Sequence, residues 1–229
     1  MCYGSDSIKE NNIYMQISTA LKDYNVMEFG GIESSPDYDT LMKAVAVVKA
    51  NEPETFFILA VGGGSICDGC KFIALASMYN GSDPYGDLLE KQEEEIRSAV
   101  PLGVVVTLPA TGSESNSNCV VTCHRTETKF SIDHPLLLPR FAILDPSLSI
   151  PLPYGEMAIE VMETFVHVCE QYAKEWKHMD RCTESLLKVL TTNEQLEQTR
   201  TATKDAREDI MWVTNHVLNH LTAQSVRSD

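Results

Sequence analysis

Residues 58–79 read ILAVGGGSICDGCKFIALASMY. An apolar run stops at three glycines and a serine, and an apolar pattern at helical spacing follows. This predicts a strand that turns sharply into a helix. Gly62, Gly63 and Gly64 let the backbone turn and approach a ligand with no Cβ in the way. Ser65 stands at the expected N-cap. The helix beginning there directs its first amides at the loop, where they attract phosphate. Two readings are open. One is a cradle for the pyrophosphate of a nucleotide. The other is an ordinary Gly-rich connection, since GGGS lacks the second half of the dinucleotide fingerprint.

Residues 104–118, VVVTLPATGSESNSN, repeat the arrangement: a β-branched strand runs into a loop rich in hydroxyls and amides. In open α/β sheets the ligand crevice lies beyond the carboxyl ends of the strands. Thr107, Thr111, Ser113 and Ser115 offer hydroxyls to ribose or phosphate there. Two such loops, each after an apolar strand, favour a nucleotide crevice over two solvated turns.

The chain outside these stretches is compatible with a folded α/β protein. Of its 229 residues, 43% are apolar, which allows a sizeable core. The net charge of −15 argues against nucleic acid or anionic membrane surfaces as partners. No run has the length of a spanning helix and no signal peptide opens the chain. Seven scattered cysteines do not form a secreted disulfide framework, so a reducing cytoplasm is expected.

Strand-like and helix-like segments alternate up to about residue 151. Val26–Phe29, Phe56–Val61, Val104–Leu108, Cys119–Cys123, Phe130–Ile132 and Phe141–Leu144 read as strands, and Tyr38–Ala50 and Ile66–Tyr79 as helices. Alternation of this kind implies a mainly parallel sheet covered by helices. Leu152-Pro153-Tyr154-Gly155 marks a switch to a helical pattern with Met157, Val161, Phe165 and Val168 on one face. Lys91–Glu95 (KQEEE) reads as a solvated face or loop.

Several long stretches, taken in order, resemble the iron-containing alcohol dehydrogenases, in particular the NADP-dependent butanol dehydrogenase or aldehyde reductase branch. They are EFGGIESSPDYDTLMKAV (28–45), AVGGGSICDGCKF (60–72), PLGVVVTLPATGSESN (101–116), RFAILDPSLSIPLP (140–153) and ETFVHVCEQY (163–172). The resemblance runs from about Tyr3 to Val226. It implies a Rossmann-like nucleotide-binding α/β domain over 1–151, then the N-terminal part of an all-helical metal-site domain over 152–229. It also implies hydride transfer between NADP (or NAD) and a primary alcohol or aldehyde, and a homodimer. Asp68, Lys71 and Lys129 match family residues near the cofactor.

The resemblance further implies that the chain is truncated at both ends. Tyr3-Gly4-Ser5-Asp6-Ser7 is similar to the family's YGGGS loop, so a first strand is expected ahead of Tyr3, where only Met1 and Cys2 stand. Gly4 matches a position that is acidic in NAD-preferring members, and a glycine there favours NADP. Asp6 replaces a family glycine and works against that preference.

The resemblance also implies a divalent metal, iron or zinc, held by one Asp and three His, which polarises the reacting oxygen. Its first two ligands are spaced i, i+4 on one helix and share a face. Glu163-Thr164-Phe165-Val166-His167 is the matching stretch. His167 matches a family histidine. Glu163 stands where the family has Asp, and the added methylene moves the carboxylate by about 1.5 Å, against a tolerance of about 0.5 Å. The remaining two histidines are expected in a motif beyond Asp229. Glu163 and His167 equally read as a helix-surface ion pair.

Other features have weaker context. His216 and His220 are also spaced i, i+4, among Asn215 and Asn219, which suggest a polar face. His124, His134 and His178 sit in no motif. Cys67-Asp68-Gly69-Cys70 reads either as small side chains packing a helix N-terminus or as a redox pair with a lowered thiol pKa. A second half for a Cys₄ zinc site is missing. Three functions are therefore carried forward: a metal-assisted alcohol dehydrogenase or aldehyde reductase, a non-catalytic fragment or pseudoenzyme that at most binds nucleotide, and a thiol-redox protein using Cys67 and Cys70.

Overall fold

A computed structural model describes residues 1–5, 7–10, 12–91, 97–174, 201 and 203–217. The chain divides into two compact units. One comprises Met1–Val105 and Ser117–Ile143, the other Val106–Asn116 and Leu144–Asp229. The segment Val106–Asn116 thus belongs with the helical residues beyond 144, whereas the sequence groups it with the nucleotide-binding half.

The first unit runs β1 (Cys2–Tyr3), α1 (Ser7–Glu10), α2 (Ile13–Ala20), α3 (Tyr38–Lys49), β2 (Ile58–Gly62), α4 (Gly64–Met78), β3 (Leu102–Val106), β4 (Asn118–Cys123), β5 (Thr128–Asp133) and β6 (Ala142–Leu144). Four strands form a sheet in the order β1-β2-β3-β6. β1 and β2 run parallel, with Cys2 opposite Ala60 and Tyr3 opposite Val61. All five residues of β3 are buried, as befits a strand covered on both faces.

α3 starts on Asp37, whose carboxylate accepts from the Asp39 amide at 3.1 Å. Its Leu41, Ala44, Val45 and Val48 form one buried stripe. Eleven of the fifteen residues of α4 are buried, because α3, β2 and β4 all pack against it.

The structure departs from the sequence-based elements in three places. Val26–Phe29 is no strand: only Phe29 bridges, to Cys2. Cys2–Tyr3 supplies a two-residue strand where the sequence left none, and Phe29 and Ile32 extend its bonding through Phe29 N to Met1 O (2.9 Å) and Ile32 N to Tyr3 O (3.3 Å). The third departure is β4 and β5, which leave the parallel sheet and form a separate antiparallel hairpin, Asn118 opposite Asp133 through Cys123 opposite Thr128. The four-residue connection at 124–127 between two half-buried, β-rich runs selects the antiparallel pairing. Of KQEEE only Lys91 is described; it ends a helical turn at Tyr85–Lys91 and pairs with Asp87 at 3.3 Å.

The second unit has two described helices, α5 (Tyr154–Lys174) and α6 (Lys204–Val217). Its core joins Met157, Val161 and Val168 of α5 to Ile210 and Val213 of α6, with Leu108, Leu152 and Phe165 packed against them. The stripe expected from the sequence is therefore the face that packs. Each such buried side chain contributes about 1.5–3 kcal/mol.

Candidate functional site

In the first unit the glycine turn forms between β2 and α4. Gly63 caps the helix from an extended conformation, φ −86° and ψ −169°, and Gly64 is the first helical residue. The cap is therefore Gly63 and not Ser65. Ser65 lies inside the first turn, and its hydroxyl donates to the Ser34 carbonyl at 2.5 Å. The first intrahelical bonds come from Ile66 and Cys67 to the Gly63 carbonyl (3.1 and 3.2 Å). The amides of Gly64 and Ser65 precede them at the positive end of the helix dipole.

The loop after β1 meets this turn at one side chain, Ile66, which is 8% exposed. A Cβ on Gly62 would lie 2.4 Å from Ile66 Cγ1, and one on Gly4 would lie 3.1 Å from Ile66 Cδ1 and 3.1 Å from the Ile32 carbonyl. Gly4 and Gly62 are thus held small by Ile66. The Gly31 amide donates to the Gly4 carbonyl at 2.8 Å and pins the loop.

Asp68 and Lys71 act on the hairpin. Asp68 Oδ2 accepts from the Val120 amide at 3.0 Å, and the fully buried Lys71 donates from Nζ to the Asn118 carbonyl at 2.6 Å. α4 thereby fixes β4, and β4 carries β5. Lys129 stands on β5 opposite Thr122 with its side chain exposed.

In the second unit, β3 leads into Thr107, Thr111 and Ser113. The Thr111 and Ser113 hydroxyls are 3.0 Å apart. Gly112 between them is left-handed at φ +66°, and a Cβ there would lie 2.4 Å from the Thr214 carbonyl oxygen. Thr164, fully buried on α5, donates to the Ala110 carbonyl at 3.0 Å. Asn215 Nδ2 donates to Glu114 Oε1 at 2.9 Å and also to Ser115 Oγ.

Glu163 and His167 face one another on α5 at 3.8 Å (Oε1 to Nε2), and Glu170 lies 3.7 Å from the other ring nitrogen. No group of three or more His, Cys, Asp or Glu side chains among the described residues has metal-binding geometry. The pair alone supplies two of the about three protein ligands that a catalytic metal needs, and its spacing also suits an i, i+4 surface pair. His216 donates from Nδ1 to the Trp212 carbonyl, 2.7 Å away, and its ring lies tilted against that of Trp212. Asp6, His178 and His220 lie outside the described residues.

One neighbour escaped the sequence. Burial raises the Glu160 carboxyl to about 7, helped by the charge of Glu163 and a hydrogen bond with it, and by Glu156. Nothing in the pattern of α5 distinguishes Glu160 from an exposed glutamate. Because its ionised form is disfavoured only when folded, Glu160 leaves stability intact below about pH 4.5 and costs it as pH rises through about 7. Allowing for partial exposure, the loss is about 1–2 kcal/mol. Glu160→Gln should remove this loss, so that urea denaturation at pH 5 and pH 8 yields closer midpoints than in wild type.

Cys67 and Cys70 lie in the second turn of α4, not at its start, and both are buried. The hydrogen bond that the Cys70 thiol donates to Cys2, followed by burial, raises the Cys70 thiol well above its ordinary value. The same contact lowers that of Cys2. A thiol protonated in this way is a poor nucleophile, which weighs against a redox role for the Cys67–Cys70 pair. Among the described residues no helix is long and apolar enough to cross a membrane.

The iron-containing alcohol dehydrogenase family model matches residues 1–146. The chain is 41% identical to the NADPH-dependent aldehyde reductase YqhD of Escherichia coli over 99% of its own length and 59% of the relative's. It is 34% identical to a probable NADH-dependent butanol dehydrogenase of Bacillus subtilis, over 100% of this chain and 59% of that one. The chain thus spans less than two thirds of these relatives. The crystal structure of E. coli YqhD superposes with a TM-score of 0.87, covering 96% of this chain and 57% of that chain. The NADH-dependent butanol dehydrogenase A of Thermotoga maritima, 27% identical, superposes with a TM-score of 0.83 over 97% of this chain and 56% of that one.

Proposed function

Since the chain belongs to the iron-containing alcohol dehydrogenase family, we propose that it binds a nicotinamide dinucleotide and serves the reduction of aldehydes or the oxidation of primary alcohols. The observation that carries this is the β2–α4 turn, where two glycines place unencumbered helix amides in front of a strand end. Residues 1–151 do the nucleotide binding in this proposal, and 152–229 open the helical portion.

Bound, the cofactor supplies or takes up the hydride. The chain's own residues hold it. The Gly64 and Ser65 amides receive the pyrophosphate, and Gly63 admits it by lacking a side chain. Gly4 itself brings no carboxylate to the adenosine end. Lys129 of the first unit offers a cation; Thr107, Thr111 and Ser113, in the second unit, are the hydroxyls that the sequence offers to ribose or phosphate. Asp68 serves indirectly, by holding β4 and so Lys129. Two relatives are named for NADPH and NADH respectively. Gly4 supports NADPH here, because an acidic side chain at that position would repel a 2′-phosphate. A cytoplasmic homodimer acting on small aldehydes completes the proposal.

An alternative is a nucleotide binder without catalysis, in which Glu163 and His167 form only the i, i+4 pair seen on α5. Calorimetric titration with NADPH and NADH tests the shared part of both readings. NADPH is expected to bind about tenfold more tightly. Equal affinities would remove the role given to Gly4, and binding of neither would remove the nucleotide site.

A further inference from the structure

Residues 107–115 carry three of the hydroxyls assigned to the cofactor, yet their only regular structure is one 3-10 turn at Ser113–Ser115. Isolated loops of this kind sample many conformations, and ordering one costs about 1–2 kcal/mol per residue. The second unit supplies the order from α5 and α6. Thr164 holds the Ala110 carbonyl, and the Thr214 carbonyl abuts Gly112. Asn215 grips the far half of the loop by its side chains, through Glu114 at 2.9 Å and through Ser115.

Glu114 is only 8% exposed. A buried carboxylate requires a donor, and the Asn215 amide supplies one while a second contact fixes Ser115. An aspartate there would face Glu114 with a second carboxylate. A serine would be too short to span both partners. Thr111 and Ser113, bonded to each other across Gly112, are followed directly by the two residues that Asn215 holds.

We propose that Asn215 is the positioning residue of the hydroxyl loop, fixing Thr111 and Ser113 where they meet the phosphate or ribose oxygens of a nicotinamide dinucleotide. This rests on the cofactor reading above. Asn215 itself touches no cofactor.

The test is fluorescence titration with NADPH of the 229-residue chain, its Asn215→Asp variant and the Asn215→Asp/Glu114→Gln double variant, with circular dichroism as a check on folding. Asn215→Asp should weaken binding about tenfold by setting two carboxylates against each other. The double variant moves the amide to the other partner at unchanged net charge, and should return affinity to within about threefold of wild type. A contact that merely stabilises the fold would shift the melting temperature and leave NADPH affinity alone. Should Asn215→Asp fail to fold, Asn215→Ser serves in its place, with about a threefold to tenfold loss expected. If wild type binds NADPH and the folded single variants bind equally well, the positioning role is overturned while the cofactor reading stands. If the double variant binds no better than Asn215→Asp, the Glu114 contact is not the agent and the role is likewise overturned. If wild type binds neither NADPH nor NADH, the cofactor reading fails and takes this inference with it.

Discussion

Gly63→Val should raise the dissociation constant for NADPH at least about a hundredfold while far-UV circular dichroism stays that of wild type. The backbone at Gly63 is extended, with φ −86° and ψ −169°, a region that a β-branched residue adopts readily. The substitution therefore carries little local strain, and the helix still begins at Gly64. In the proposed site, however, its two methyl groups would stand where the phosphates approach the Gly64 and Ser65 amides. Charge-assisted hydrogen bonds to a pyrophosphate are worth about 1.5–3 kcal/mol each, so losing two of them accounts for the hundredfold. Unchanged affinity in a folded variant would mean that the phosphates bind elsewhere.

Gly112→Val should destabilise the chain by about 3 kcal/mol or more and lower its melting temperature by roughly 6–12 °C. Two penalties coincide. The left-handed φ of +66° costs a β-branched residue about 1–2 kcal/mol. The new Cβ would also lie 2.4 Å from the Thr214 carbonyl oxygen, a backbone atom that moves only if α6 moves. Gly112→Asn separates the two, since asparagine tolerates the left-handed region but still brings a Cβ. It should retain more than half of the loss in differential scanning calorimetry. An asparagine variant as stable as wild type would show that the close approach of α6 is not what requires glycine here.

The β2–α4 turn was legible because it is local. A strand, its glycines and its helix are consecutive, and the backbone demands of such a turn fall on adjacent residues. The apolar stripe Met157, Val161, Phe165, Val168 was legible for the same reason, since helical spacing alone brings its members to one face. Contacts distant in sequence were not. Asp68 resembled a cofactor residue, and the amide 52 positions later that its carboxylate receives left no trace in the pattern. Asn215 looked like part of an undistinguished polar face, yet it meets Glu114 across 101 positions. Ser65 seemed a cap because Ser favours that role, but the Ser34 carbonyl claims its hydroxyl and a glycine caps instead. The hairpin β4–β5 was read correctly as two strands and placed in the wrong sheet, because strand propensity carries no information about partners.

The path of the chain between the two units has a consequence for its synthesis. It leaves the first unit after Val105, returns at Ser117, and leaves again after Ile143. A nascent chain emerging in order from its N-terminus thus cannot complete the first unit when β3 appears. It must hold eleven residues, 106–116, in reserve until α5 and α6 exist to receive them. Those residues include the whole hydroxyl loop, whose contacts close over spans of roughly fifty to one hundred residues. Closures of that length come late in folding, so the loop is the last part of the described structure to be assembled. A cut between 144 and 154, however cleanly it spares the sheet, strands the loop without the helices that shape it.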